Sequence, residues 1–300
     1  MSVLVVGSAA LDSIETPFGK VENALGGSAI YFSSAANYFT KVHVVAVVGQ
    51  DFPMDEINYL KERNVDFSGL TVEEGKTFRW GGKYLLDLNQ RETLYTDLNV
   101  FETFNPTLPE KFREIPYVFL ANIQPDLQIR VLEQMKKPKL VVMDTMNFWI
   151  EGTPDSLKKL LKKIDVLIIN DSEARLLAQE SNLFKAADAI IKMGPKSLVI
   201  KKGEHGALLI DKNVYFWAPA YPLKDLFDPT GAGDTFAGGF VGYLAKMDDL
   251  SPMNLRKAVI YGSTLASFCV EKFSVERLKE LTEQDINNRY LEFRELIRFD

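Results

Sequence analysis

The residues best suited to chemistry lie late in the chain, in Asp228-Pro229-Thr230-Gly231-Ala232-Gly233-Asp234-Thr235-Phe236-Ala237-Gly238-Gly239-Phe240. The run follows an apolar, aromatic strand-like stretch at Val214–Ala218 and a Pro-containing loop, and it leads into a small-residue, apolar helix. Gly231, Ala232 and Gly233 therefore fall at a helix N-terminus, where peptide N–H groups lack intrahelical acceptors. Small side chains let a phosphate approach those amides, and the helix dipole favours negative charge. Such an anion hole suits the charge that develops in phosphoryl transfer. A carboxylate beside an anion hole is electrostatically unfavourable unless it works there. Asp234 can accept the proton of an attacking hydroxyl as that oxygen bonds to phosphorus. Gly-Ala-Gly-Asp alone would more often be a turn with an Asp cap. The thirteen-residue context favours the chemical role.

Other elements must hold this helix start at the edge of a cleft. Short β-branched runs alternate with longer amphipathic segments, the pattern of an α/β fold with a central, mostly parallel sheet flanked by helices on both faces. Buried strands are predicted at Val3–Val6, Val42–Val48, Tyr117–Ala121, Leu140–Asp144, Val166–Asn170, Ser197–Lys201 and Ala207–Ile210. Helices are predicted at Ser28–Tyr38, Phe52–Arg63, Asp126–Met135, Ser156–Lys163, Ser172–Gln179 and Leu183–Met193, several opening with an Asp or Ser cap. Two stretches break the rhythm. Thr77–Asp97 is aromatic, Thr-rich and alternating, with turn residues at Gly81-Gly82 and Asn89-Gln90. Asp12–Leu25 lacks helical periodicity and carries Pro17 and Gly19. Together, segments of about 12–25 and 77–98 read as a small antiparallel β lid over a cleft, with a packing or dimer surface as the plainer alternative. A single domain over residues 1–300 is expected.

Composition narrows the function. Of 300 residues, 46% are hydrophobic and 25% charged, enough for a large core. The net charge of −6 argues against a nucleic-acid surface, which would show a basic stripe. It leaves room for an anionic ligand held by local amides and a few lysines. The one cysteine, Cys269, sits in an apolar run and reads as a buried, inert thiol. His43 and His205 lie far apart, which with a lone Cys makes structural zinc an unfavoured reading. No basic leader and no run of about 18 apolar residues is evident, so a soluble, cytoplasmic protein without membrane contact is expected.

Asp228–Val241 resembles, position by position, the C-terminal signature of the ribokinase-like (PfkB) family of carbohydrate kinases. The resemblance implies an ATP- and Mg2+-dependent phosphotransferase acting on a hydroxyl of a small polyol. Asp234 would be the base, and Gly231, Ala232 and Gly233 the anion hole, with Thr230 beside the nucleotide. Asn170-Asp171-Ser172-Glu173 looks like the family's Asn-x-x-Glu motif, which organises the Mg-coordinated triphosphate largely through water. Glu173 alone would read as first-turn helix charge. Lys202-Gly203-Glu204-His205-Gly206-Ala207 resembles the family's Gly-x-x-Gly turn, which places Gly203 and Gly206 at the nucleotide. Ser263 falls where many members carry Asn beside adenine. Gly7-x-x-x-x-Asp12 and Leu25-Gly26-Gly27-Ser28 resemble the acceptor-binding end. There Asp12 grips substrate hydroxyls, a sensible polyol clamp for a carboxylate that accepts two hydrogen bonds.

The chain also departs from the family pattern. Tyr31 stands where an Asn often contacts the sugar, and Lys201 stands where Thr is common. Lys201 could reach nucleotide phosphate or cap its strand. The lid offers Arg79, Trp80 and Lys83 to a substrate. Arg79 and Trp80 point to opposite faces of a strand, so at most one of the two faces the cleft. Asp228 and Thr230, with loop carbonyls around Val270–Ser274, supply oxygens that could hold a monovalent cation such as K+. The resemblance leaves a sugar as the first acceptor and an adenosine-like nucleoside as the alternative. A non-catalytic metabolite-binding relative is disfavoured because every chemical position is filled. A dinucleotide-dependent oxidoreductase is disfavoured because Val5-Val6-Gly7-Ser8-Ala9-Ala10 lacks Gly-x-Gly-x-x-Gly. An exposed apolar lid face would favour a homodimer.

Overall fold

Alternation within the first strand shows how the fold is layered. Val3 and Val5 pack into one apolar cluster, Leu4 and Val6 into another, and all four are fully buried. A strand covered on both faces reads as a continuous apolar run. In this computed structural model, which describes residues 1–211 and 214–298, the same layering extends across a nine-stranded sheet.

The strands are β1 (Ser2–Val6), β2 (Ala10–Thr16), β3 (Gly19–Gly26), β4 (Lys41–Gly49), β5 (Val65–Glu73), β6 (Phe78–Tyr84), β7 (Arg91–Asp97), β8 (Tyr117–Leu120), β9 (Leu140–Asp144), β10 (Val166–Asn170), β11 (Ser197–Lys201), β12 (Ala207–Asp211) and β13 (Val214–Ala218). The helices are α1 (Ser28–Ala36), α2 (Asn58–Glu62), α3 (Pro125–Gln134), α4 (Asn147–Gly152), α5 (Pro154–Leu161), α6 (Asp171–Ala178), α7 (Leu183–Met193), α8 (Ala232–Met247), α9 (Pro252–Cys269), α10 (Glu276–Glu280) and α11 (Glu283–Leu296). The large sheet runs β13-β12-β11-β10-β9-β8-β1-β4-β5. Its pairs are parallel except β11–β12 and β12–β13 at one edge. Helices α1, α2 and α8 to α11 contribute to the cluster on one face, and α3 to α7 to the cluster on the other. Because β1, β9, β10 and β11 are parallel, their carboxyl ends meet on one side, where open α/β sheets bind ligands.

The second sheet, ordered β3-β2-β6-β7, is built from the two stretches that break the strand–helix rhythm. Each stretch folds into an antiparallel hairpin, and parallel pairing of β2 with β6 sets the hairpins side by side.

Most predicted elements lie within two residues of their observed bounds. The predicted helix Phe52–Arg63 instead divides into a short 3-10 turn, Met54–Ile57, and the five-residue α2. Pro53, at φ −75° and ψ 79°, makes an inverse γ-turn just where that helix would begin, with the Met54 N–H donating to Phe52 O at 2.8 Å. Strand β5, which its sequence does not announce, carries Asp66, Ser68 and Gly69, and it is an edge strand held by pairing with β4. Among the described residues, no helix is long and apolar enough to cross a membrane.

Candidate active site

A cavity of about 790 Å³ opens at the carboxyl edge of the sheet. Its walls come from the ends of β9, β10 and β11, the turn after β11, the start of α8, and Ser263 on α9. It is large enough for a nucleotide-sized ligand.

Helix α8 begins as its sequence requires. Gly231 caps it at φ +73°, a left-handed conformation that a residue with a Cβ adopts only with strain. A side chain there would also meet the Tyr31 ring, which lies 2.3 Å from the position of an added Cβ. No side chain caps this end. The N–H of Ala232 turns back to the Pro229 carbonyl at 3.2 Å, and the first helical bond runs from Thr235 N–H to Gly231 O at 2.8 Å. Gly231 and Gly233 thus keep peptide N–H groups for an anion, whereas Ala232 supplies mainly small size.

Charge is concentrated at the same point. The Lys201 ammonium lies 2.7 Å from where a Cβ on Gly233 would be, so a side chain there would make the ammonium shift. Its Nζ is 3.7 Å from Asp144 Oδ2 at the end of β9. Burial alone would lower the lysine's pKa, but the charges of Asp144, Glu173 and Asp234 outweigh it and hold it above its usual range. Burial raises all three carboxyls above the ordinary range. Like-charge pressure from Asp144 raises Glu173 and Asp234 further, against the pull of Lys201. Three carboxylates thus compete for one ammonium.

Asn170 and Glu173 form a reciprocal cap at the start of α6. Asn170 Oδ1 accepts the Glu173 N–H at 2.7 Å, and Glu173 Oε2 accepts the Asn170 N–H at 2.8 Å. The helix-charge reading and the binding reading of Glu173 therefore coexist, because the cap fixes a carboxylate that lines the cavity. Gly203 and Gly206 line it from the turn after β11.

The acceptor-side residues Asp12, Gly26, Gly27, Ser28 and Tyr31 do not line this cavity. Asp12 is buried against Gly26. Burial, then the charge of Asp228, push its carboxyl up to about 7, opposed by the Gly27 N–H. Gly27 turns at φ +94° to enter α1. Ser28 is taken up locally: its Oγ accepts the Ser8 N–H at 3.1 Å, and its own N–H donates to Ser8 Oγ at 3.0 Å. The fully buried Tyr31 hydroxyl has no hydrogen-bond partner, and burial, then the charges of Asp12 and Asp228, hold its pKa well above the usual range.

Arg79 and Thr230, also expected at the ligands, turn elsewhere. Arg79 pairs with Asp51 at 2.7 Å and with Asn23, and it does not line the cavity. The Thr230 hydroxyl bonds Tyr84 of the lid at 3.0 Å instead of pointing into the nucleotide space. Asp228 ties two loops together, its Oδ1 accepting the Thr230 N–H at 2.8 Å and its Oδ2 the Ser274 N–H at 3.1 Å.

Four further residues carry no clear signal in the sequence. Asp144 pairs with Lys201. Arg91, the first residue of β7, lines the cavity and draws down the carboxyls of Asp12, Glu173 and Asp234. Tyr84 joins the lid to the α8 loop. Asn89, between β6 and β7, reaches the turn after β11, with its Nδ2 3.3 Å from Glu204 Oε2. The one sequence signal for Arg91 is its place opposite Tyr84 in the alternating hairpin.

Comparison with known proteins bears on the family and the fold. The chain is 28% identical over 250 residues to a cytidine kinase of Thermococcus kodakarensis, covering 81% of this chain and 88% of that one. The solved nucleoside kinase of Methanocaldococcus jannaschii superposes with a TM-score of 0.77 at 21% identity, covering 97% of this chain and 98% of the other. The aminoimidazole riboside kinase of Salmonella enterica, solved with aminoimidazole riboside and an ATP analog, gives a TM-score of 0.73 at 18% identity, covering 97% of this chain and 100% of the other. Residues 2–280 match the pattern described as pfkB family carbohydrate kinase, and with the amides of α8, their neighbouring carboxylate and the doubly covered sheet in place, the chain belongs to that family.

Proposed function

We propose that this kinase transfers the γ-phosphoryl group of ATP to a ribose hydroxyl of a nucleoside, with Asp234 as the base. One observation carries the mechanism: the half-buried Asp234 carboxyl, its pKa raised, lines the cavity in the first turn of α8, whose start no side chain caps. A base whose pKa approaches the working pH is well matched to proton transfer. The acceptor oxygen attacks the γ-phosphorus, the bond from that phosphorus to the β,γ-bridging oxygen breaks, and the acceptor proton passes to Asp234. The N–H groups of Gly231 and Gly233 and the Lys201 ammonium receive the charge of the moving phosphoryl group. Arg91 adds a second cation from the lid. Asp12 accepts hydrogen bonds from the sugar hydroxyls, and the unpartnered Tyr31 hydroxyl is available to the same ligand.

The buried, mutually repelling carboxylates of Glu173 and Asp144 suit Mg2+, which takes one or two carboxylates together with phosphate oxygens and water. When bound, Mg2+ would offset triphosphate charge. Loop oxygens around Asp228 offer a place for K+, which omission of K+ from the assay would test. The exposed Leu94 and Tyr95 on the outer strand of the lid favour a homodimer through that face.

The nucleoside assignment draws on the activities for which the three relatives are named, and on an aromatic lid in which Arg91 lies 5.4 Å from the Trp80 ring centroid. Cytidine, adenosine, inosine, ribose and fructose should be compared as acceptors with Mg-ATP. Nucleosides should give the highest kcat/KM; turnover of free sugars alone would overturn the acceptor assignment. Asp234→Asn should lower kcat by about 10²-fold while ATP still binds. Near-normal turnover in that variant would remove Asp234 from the mechanism.

A further inference from the structure

We propose that Tyr84 is a positioning residue through which the lid sets the anion hole at the start of α8, a role that rests on the kinase reading above. Tyr84 ends β6, and its hydroxyl lies 3.0 Å from Thr230 Oγ1, with both residues buried. They are 146 positions apart, so the bond ties the small sheet directly to the loop that opens α8. Arg91, the cross-strand partner of Tyr84, acts on the same hydroxyl, which links the bond to the cation that the lid brings to the site.

The remaining polar groups of Thr230 are committed to the body of the protein. Its N–H donates to Asp228 Oδ1 at 2.8 Å, and its carbonyl accepts from Cys269 Sγ at 3.7 Å. Its hydroxyl alone reaches the lid. The next residue is Gly231, at φ +73°, which caps α8 and lines the cavity together with Gly233. Freeing one anchor of Thr230 lets the peptide on its C-terminal side rotate. Small misplacement of groups that bind a transition state costs rate even when the substrates still bind. A buried tyrosine that merely satisfied its own hydroxyl would affect stability and leave catalysis alone.

The two roles separate in a set of four proteins: wild type, Tyr84→Phe, Thr230→Val and the double variant. Tyr84→Phe should lower kcat about tenfold with an unchanged KM for ATP. It should also lower Tm, because Thr230 Oγ1 loses its buried partner. In the double variant neither partner remains polar, so Tm should recover while kcat does not. Tyr84→Phe should cost nothing further in kcat on the Thr230→Val background. An unchanged kcat in Tyr84→Phe overturns the proposal. So does recovery of kcat together with Tm in the double variant, or multiplication of the two single effects. If the wild type phosphorylates no nucleoside, the acceptor assignment fails by itself. The four proteins are then compared in ATP hydrolysis by water, which uses the same amides. There Tyr84→Phe should again be slower than wild type, and equal rates would overturn the role of Tyr84.

Discussion

At the scale of single residues, the site holds more buried carboxylate than buried cation. Asp12 illustrates the consequence for stability. Its carboxyl is raised from about 3.8 to about 7, so the native state holds its proton more tightly than the unfolded chain does. The corresponding contribution to stability is fully present below about pH 4 and is lost as pH rises through about 7. Asp12→Asn should therefore stabilise the protein at pH 8 by about 2–4 kcal/mol, with a smaller gain at pH 5 and almost none at pH 3. Denaturant melts at the three values check this, and equal gains throughout would refute it. The same variant should lose acceptor affinity, an exchange of stability for function. The glycines and the carboxylate that open α8, Gly231, Gly233 and Asp234, were legible as a candidate site because small residues and an acid fall together at a helix start. Asp144, Arg91 and Tyr84 were not. Each is an ordinary strand-end residue, and its role arises only when distant segments meet at one cavity.

At the scale of elements, parallel strands deliver their last residues to one edge, and there Lys201 at the end of β11 meets Asp144 at the end of β9. Removing a buried ammonium leaves its partners uncompensated. Lys201→Met should therefore destabilise by about 3 kcal/mol, and adding Asp144→Asn should restore part of that loss. Thermal melts of the single and double variants test the pairing, and additive losses would contradict it. The KM for ATP should rise in both variants. The parallel core was readable because apolar runs such as Val3–Val6 and Val166–Asn170 admit few other placements. Strand β5 was not, since its pairing with β4 overrides a polar, glycine-containing sequence. Residue types alone mark an Asp or Ser cap for α6, and resemblance marks Asn170 and Glu173 as a binding pair; the reciprocal cap that Asn170 and Glu173 form was not foreseen, because it depends on where β10 ends.

At the scale of the whole molecule, the small sheet presents an outer strand, β7, whose residues are all exposed. An uncovered edge with apolar side chains is a ready template for pairing. Leu94→Glu should convert a dimer into a monomer in sedimentation velocity, with the fold unchanged by circular dichroism; a wild-type monomer would remove the lid from the interface. The same hairpin stretches inward as well. Asn89 rests against Gly203 beside the nucleotide space, and Leu88 and Asn89 share its walls with Lys201 and Asp234. A nucleotide held in that cavity would therefore touch the lid hairpin as well as the strand ends.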